Sequence, residues 1–144
     1  MTRKTGEADV APEARFELVL ISELLPHEMC DPDTVDTVEQ NIKSEGAVLE
    51  PILVAEGSLV VLNGHHRLEV LKRLGARKVP AWVIDYEGSS ITVDLWPGSG
   101  VPEKPTKKDI VARARKGHLY PPKTSRHQIS KPLPKRRTPL HELY

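Results

Sequence analysis

The sequence predicts an α+β fold: a small mixed sheet with helices packed around it. Short apolar runs bounded by turn-forming residues recur through the first hundred positions, and they read as strands. Between and after them lie segments with helical apolar spacing and recognisable start and stop residues. A chain of 144 residues is long enough for one domain with a single core.

The first strand is Phe16–Ile21, followed by a turn at Ser22–Pro26, where proline stops further pairing. Asp31 then serves as an N-cap, Pro32 as the first helical residue, and Asp33 sits at the positive end of the helix dipole. Val35, Val38 and Ile42 share one helical face, and Gly46 supplies the left-handed stop. Pro51–Val54 and Leu59–Leu62 are short apolar strands joined by the loop Ala55–Ser58. Asn63-Gly64 is a turn. A helix follows from His66 to Leu74, with Leu68, Leu71 and Leu74 on one face and Gly75 as its cap. Lys78–Asp85 is a further strand and Ile91–Trp96 an edge strand. Pro97–Pro105 is rich in breakers, Thr106 starts a helix through Lys116, Gly117 ends it, and Leu119–Pro122 is extended. The chain thus divides into a flexible N-terminus (1–14), a core (15–96), a helix with a phosphate- and substrate-binding segment (97–129), and a basic, proline-rich tail without its own core (130–144).

Lysine and arginine number 21 against 20 aspartates and glutamates, a balance unlike the strongly basic composition of a DNA-coating protein. The charge is unevenly spread, however. Lys104–Arg137 is heavily basic with Asp109 as its only acid, a stretch that would draw an anion. Cys30 is the single cysteine, which suits a reducing compartment. With no apolar leader and no membrane-length apolar run, the expectation is a cytoplasmic protein without membrane association.

The chemistry concentrates at Val60-Val61-Leu62-Asn63-Gly64-His65-His66-Arg67, where a strand turns into a helix. Gly64 allows a sharp turn and a close ligand approach. The first helical N–H groups lack intrahelical acceptors, and with the helix dipole they favour an anion such as phosphate. Arg67 adds a fork of charged donors, and His65 and His66 can donate to phosphate oxygens or tune a proton transfer. Asn63 can face a metal or a sugar. Adjacent histidines diverge on a helix, so zinc, which favours wider spacing, fits poorly.

The ordered set Leu24-Leu25-Pro26-His27-Glu28, Glu45-Gly46, Pro51-Ile52-Leu53-Val54, Asn63-Gly64-His65-His66-Arg67, Leu71-Lys72-Arg73-Leu74-Gly75 and Val79-Pro80-Ala81 resembles the N-terminal domain of the ParB/sulfiredoxin superfamily over about residues 16 to 86. Sulfiredoxins carry a cysteine within the Gly-X-His-Arg part, where this chain has histidine. Partition proteins typically carry Gly-Glu-Arg-Arg, followed by a helix-turn-helix domain. The free serine kinases of the superfamily resemble the chain best. They have Asp-Gly-His-His-Arg, a Glu in the loop after the first strand, and a Pro-Pro-Lys-Thr-Thr-Arg-His-like segment that Pro121-Pro122-Lys123-Thr124-Ser125-Arg126-His127 matches outside the core. Asn63 stands where the kinases carry Asp, and this chain is shorter than they are.

This resemblance implies phosphoryl transfer from ATP or ADP, with Mg²⁺, to the hydroxyl of free L-serine or a similar metabolite. Glu28 would be the base, with His65 and His66 assisting. Asn63, Gly64, His65, His66, Arg67, Lys123, Thr124 and Ser125 would bind the nucleotide, and Trp96, Arg126 and His127 the acceptor. Mg²⁺ would be held through the phosphates and by Asn63. A second subunit could complete the acceptor pocket in a homodimer. Two other readings stay open: a nucleotide-binding regulatory module without turnover, and a ParB-like DNA-binding or nicking protein using the basic C-terminal stretch.

Overall fold

The computed structural model describes residues 14–144, so the N-terminal segment expected to be flexible lies, but for Ala14, outside the described residues. A four-stranded mixed sheet forms the centre, in the order β1 (Arg15–Leu20), β5 (Lys78–Ile84), β3 (Ile52–Ala55), β4 (Val61–Asn63). β5 runs antiparallel to β1 and parallel to β3, and β4 is antiparallel to β3. All four residues of β3 are buried, which explains its unbroken apolar run: both faces of the sheet are covered.

Alternation along β3 divides the core in two. Ile52 and Val54 point toward α1 (Pro32–Glu45) and α2 (His65–Arg73), joining Val35, Ile42, Leu68 and Leu71. Leu53 and Ala55 point the other way, toward Ile91, Val93, Ile110 and Ala114 of β6 (Ile91–Leu95) and α3 (Lys107–Lys116). The helix boundaries follow the capping chemistry of the sequence. Asp31 accepts from Thr34 N–H at 3.0 Å, and Gly46 ends α1 at φ 66°. Thr106 and Asp109 form a reciprocal capping box at the start of α3.

Several segments differ from the sequence expectation. The strand expected at 59–62 is Val61–Asn63, because Leu59 takes a left-handed turn conformation at φ 61°. α2 accordingly starts at His65, one residue earlier than its apolar spacing suggests. Ser125–Ile129, with no apolar alternation, is strand β7, paired antiparallel with β6.

The basic C-terminal stretch, expected as a tail, is folded against the rest of the chain. Trp82 Nε1–H donates to Pro134 O at 3.1 Å, and the Arg136 guanidinium stacks 3.8 Å from the Phe16 ring centroid. Arg137 donates to Glu45 O at 3.0 Å. β8 (Thr138–Pro139) pairs with β2 (Ala47–Val48), and a final 3-10 turn, Leu140–Leu143, buries Leu143 completely against α2-side core residues. Composition hides this because two leucines three residues apart anchor an otherwise polar segment. Burying a leucine contributes about 1.5–3 kcal/mol, and removing one leaves a cavity as well. Leu143→Ala is expected to lower unfolding free energy by about 2–5 kcal/mol in urea titration. A change below about 0.5 kcal/mol would show that the turn is not docked in solution.

Candidate active site

The strand-to-helix junction is shaped by Gly64, whose φ is 100°. A Cβ there would lie 2.5 Å from Ile52 Cγ2 and 2.8 Å from Ile52 Cβ. Only glycine lets the chain turn so closely over β3, and the first N–H groups of α2 have no acceptor within the helix.

His65 and His66 do something the sequence did not suggest. His65 Nε2 accepts from the backbone N–H of His27 at 3.1 Å, and His66 Nε2 accepts from the backbone N–H of Asp31 at 3.0 Å. Both Nε2 lone pairs are occupied by backbone, so each neutral ring carries its proton on Nδ1. Burial lowers the pKa of both, and that of His65 far below its ordinary value. Their imidazoles therefore pin the two ends of the loop 27–31, with Glu28 between them. The expected proton-transfer role of the two rings gives way to positioning, and their backbone N–H groups remain at the helix start.

Arg67 is also turned inward. Its Nη1 donates to Glu50 O at 2.7 Å and Pro51 O at 3.0 Å, tying the turn before β3 to α2 rather than presenting its full fork to a ligand. Asn63 ends β4 with its side chain exposed.

Glu28 receives three donors from the segment after α3. Its Oε1 accepts from Lys123 N–H at 3.1 Å, and its Oε2 accepts from Ser125 N–H at 2.7 Å and contacts Ser125 Oγ at 2.5 Å. Lys123 adopts a left-handed backbone at φ 58°, which curls this segment around the carboxylate. Glu28, Asn63, Gly64, His66, Trp96, Lys123 and Ser125 line one cleft of about 280 Å³. Trp96 is 41% exposed, and the Arg126 guanidinium lies 4.8 Å from its ring centroid. A neighbouring cleft of about 330 Å³ shares Asn63, Gly64 and His66, and runs along Val38, Asn41 and Ile42 of α1 to Val48 and Leu49.

Two residues expected at the ligand lie elsewhere. Thr124 is fully buried and its hydroxyl closes a turn on Pro121 O at 2.8 Å. His127 faces the interior, where its Nε2 shares a 2.8 Å hydrogen bond with Tyr86 Oη and burial pushes its pKa down to about 3. Ser125 and His127 share the inward face of β7, and Ser125, at the strand's start, is the one that reaches the cleft.

His27 was missed. Its ring is fully buried, with Nδ1 2.7 Å from Val61 O and Nε2 2.7 Å from Ser125 Oγ. Its position beside Glu28 in a strand-like segment was the available signal, since neighbours there point to opposite sides. Among the described residues no group of three or more His, Cys, Asp or Glu side chains could hold a metal ion, and no helix is long and apolar enough to cross a membrane.

The chain is similar to an ATP-dependent L-serine kinase of Staphylothermus marinus, 39% identical over 93 residues, which cover 60% of this chain and 37% of that protein. An ADP-dependent L-serine kinase of Thermococcus kodakarensis is 25% identical over 85 residues, 56% of this chain and 35% of its own length. The chain thus spans less than half the length of these curated relatives. A solved structure of a free serine kinase in complex with AMP superposes with a TM-score of 0.78 at 18% identity, covering 92% of this chain and 94% of that one, a likeness of fold. Residues 3–95 match the ParB N-terminal domain family, and the chain belongs to it.

Proposed function

We infer that the protein is a small-molecule kinase that transfers a phosphoryl group from ATP or ADP to the hydroxyl of free L-serine or a similar metabolite. The observation that carries this is the junction of the two clefts. The helix N-terminus at Gly64–Arg67 lies between a cleft along α1, walled by Val38, Ile42, Val48 and Leu49, and a cleft containing Glu28, Lys123 and Ser125. A nucleoside in the first cleft would direct its phosphates over the α2 N-terminus, with the terminal phosphoryl group facing the second. Phosphoryl transfer needs positioning, charge neutralisation and a base for the attacking hydroxyl. The backbone N–H groups of His65, His66 and Arg67, with Lys123, supply the donors. Glu28 takes the hydroxyl proton, and Trp96 and Arg126 border the acceptor. The curated relatives named as L-serine kinases support the same reading.

Mg²⁺ fits as an ion carried by the nucleotide. The residues at the junction offer Asn63 as an oxygen ligand rather than a protein cage, and Mg²⁺ commonly binds with phosphate oxygens and few protein ligands. It would neutralise charge on the transferring group.

The test is a screen of ATP and ADP with Mg²⁺ against hydroxylated amino acids and related metabolites, read by mass spectrometry. O-phosphoserine, or another phosphorylated acceptor, is the expected product. If no acceptor is phosphorylated, the kinase reading fails; nucleotide binding without turnover would then identify a regulatory module.

A further inference from the structure

Protons can be counted around Ser125 Oγ, and the count does not close for an ordinary carboxylate and a neutral imidazole. Val61 O can only accept, so the 2.7 Å contact with His27 Nδ1 requires the ring proton there. His27 Nε2 and Glu28 Oε2 both then approach Ser125 Oγ, at 2.7 and 2.5 Å. Each contact needs a proton, and the hydroxyl brings one. With a neutral His27 and an ionised Glu28, one contact would set two lone pairs against each other inside a largely buried site. Adding one proton satisfies both contacts. Either Nε2–H donates to Oγ while the hydroxyl donates to the carboxylate, or the protonated carboxyl donates to Oγ while the hydroxyl donates to Nε2.

We propose that Glu28, Ser125 and His27 form a single proton-accepting unit, in which the proton taken from the acceptor hydroxyl by Glu28 is shared through Ser125 Oγ with His27 Nε2. This rests on the kinase reading for the source of the proton. In the transfer, the acceptor O–H bond breaks and its electron pair forms the new bond to phosphorus. The P–O bond to the leaving nucleotide breaks, and its pair departs on the nucleotide's terminal phosphate oxygen. The proton goes to the Glu28 carboxylate and passes from Oε2 to Ser125 Oγ as the Ser125 hydroxyl proton shifts to His27 Nε2, so that the unit ends as a carboxylate, a neutral hydroxyl and a protonated imidazole. Glu28 is the catalytic residue. Ser125 and His27 are positioning residues that act through it.

The surroundings suit a shared proton better than a free imidazolium. Burial lowers the pKa of His27 below its ordinary value, and the Glu28 charge offsets only part of that shift. The rings of His65 and His127 face His27 at centroid distances of 4.7 and 5.7 Å, and Tyr120 at 6.4 Å; burial keeps both histidines neutral. On the Glu28 side stand Lys123, His66 and Cys30.

Ser125→Ala tests the unit by the sign of a shift. ¹⁵N-histidine NMR reads the protonation of His27 Nε2 in the full chain, and it needs no turnover. If Ser125 Oγ accepts from a protonated Nε2, its removal takes away a partner of the charged form, and the His27 titration moves to lower pH. If the hydroxyl merely donates to a neutral Nε2, removal moves the titration to higher pH. The expected result is a downward move in Ser125→Ala and wild-type behaviour in Ser125→Thr, which keeps the hydroxyl. With a phosphorylatable acceptor, kcat should fall by about tenfold or more in Ser125→Ala, and the acid limb of its pH profile should follow the His27 titration. A His27 titration that moves upward or stays fixed overturns the unit. Absence of turnover in every protein overturns the kinase reading alone, since the NMR shift decides the unit independently.

Discussion

Replacing Glu28 by Gln is expected to lower kcat for phosphoryl transfer by about 10²–10⁴-fold, the range of a lost general base, while nucleotide affinity stays unchanged. The two effects separate because Glu28 lines one cleft and the nucleoside is assigned to the other, along α1. The substitution is not structurally silent. Three donors, from Lys123 N–H, Ser125 N–H and Ser125 Oγ, converge on the Glu28 carboxylate. Gln offers one acceptor oxygen, and its NH₂ must then face a donor. Such a mismatch costs about 1–3 kcal/mol, so stability should be measured beside activity. Calorimetric nucleotide binding with wild-type affinity and a kcat lowered by about 10²–10⁴-fold is the expected pair of results. Substantial turnover by Glu28→Gln would remove Glu28 from the base role.

Gly64→Ala has the largest expected effect on the fold of the site. A non-glycine residue in a left-handed conformation costs about 1–2 kcal/mol, and overpacking adds about 1–3 kcal/mol. Here the added methyl meets Ile52 Cγ2 at 2.5 Å, and Ile52 belongs to the central strand β3, so relief requires the helix start to move. A total loss of about 2–5 kcal/mol is a large share of the 5–15 kcal/mol typical of a domain. The N–H groups that open α2 should shift with it, and nucleotide affinity should fall at least tenfold. Gly117→Ala is the control. Its φ of 73° carries the conformational cost, yet no atom lies within 4 Å of the added Cβ. Urea unfolding and nucleotide titration of both variants separate the clash from the backbone cost. Equal losses in the two would show that the Ile52 contact yields freely.

Much of this arrangement was legible in the sequence wherever the information is local. Asp31, Gly46, Thr106 and Gly117 mark helix ends through interactions within a few residues, and they sit where their chemistry requires. Asn63-Gly64 announces a strand-to-helix turn, whereas the segment 121–127 stands out only through its resemblance to the free serine kinases. Side-chain direction was not legible. That His65 and His66 accept from backbone N–H groups of another loop depends on how α2 meets residues 27–31. Arg67 reads as a phosphate ligand until Glu50 O and Pro51 O are seen to take it. Thr124 and His127 were assigned to the ligand because their segment was, whereas strand alternation and a turn send them inward. His27 escaped notice because both its ring partners are distant in the chain.

The clamp on Glu28 also has a kinetic implication. The bond from Ser125 N–H to Glu28 joins residues 97 positions apart. Glu28 lies within the stretch matched by the ParB N-terminal domain family, residues 3–95, and its clamp lies beyond it. Closing so long a loop carries an entropic cost that local contacts cannot offset in advance, and non-local contacts slow folding. The helices and the central sheet can therefore form before the carboxylate is held. Recovery of activity after dilution from denaturant should lag behind recovery of far-ultraviolet ellipticity, and amides at Lys123 and Ser125 should gain protection from hydrogen exchange among the last.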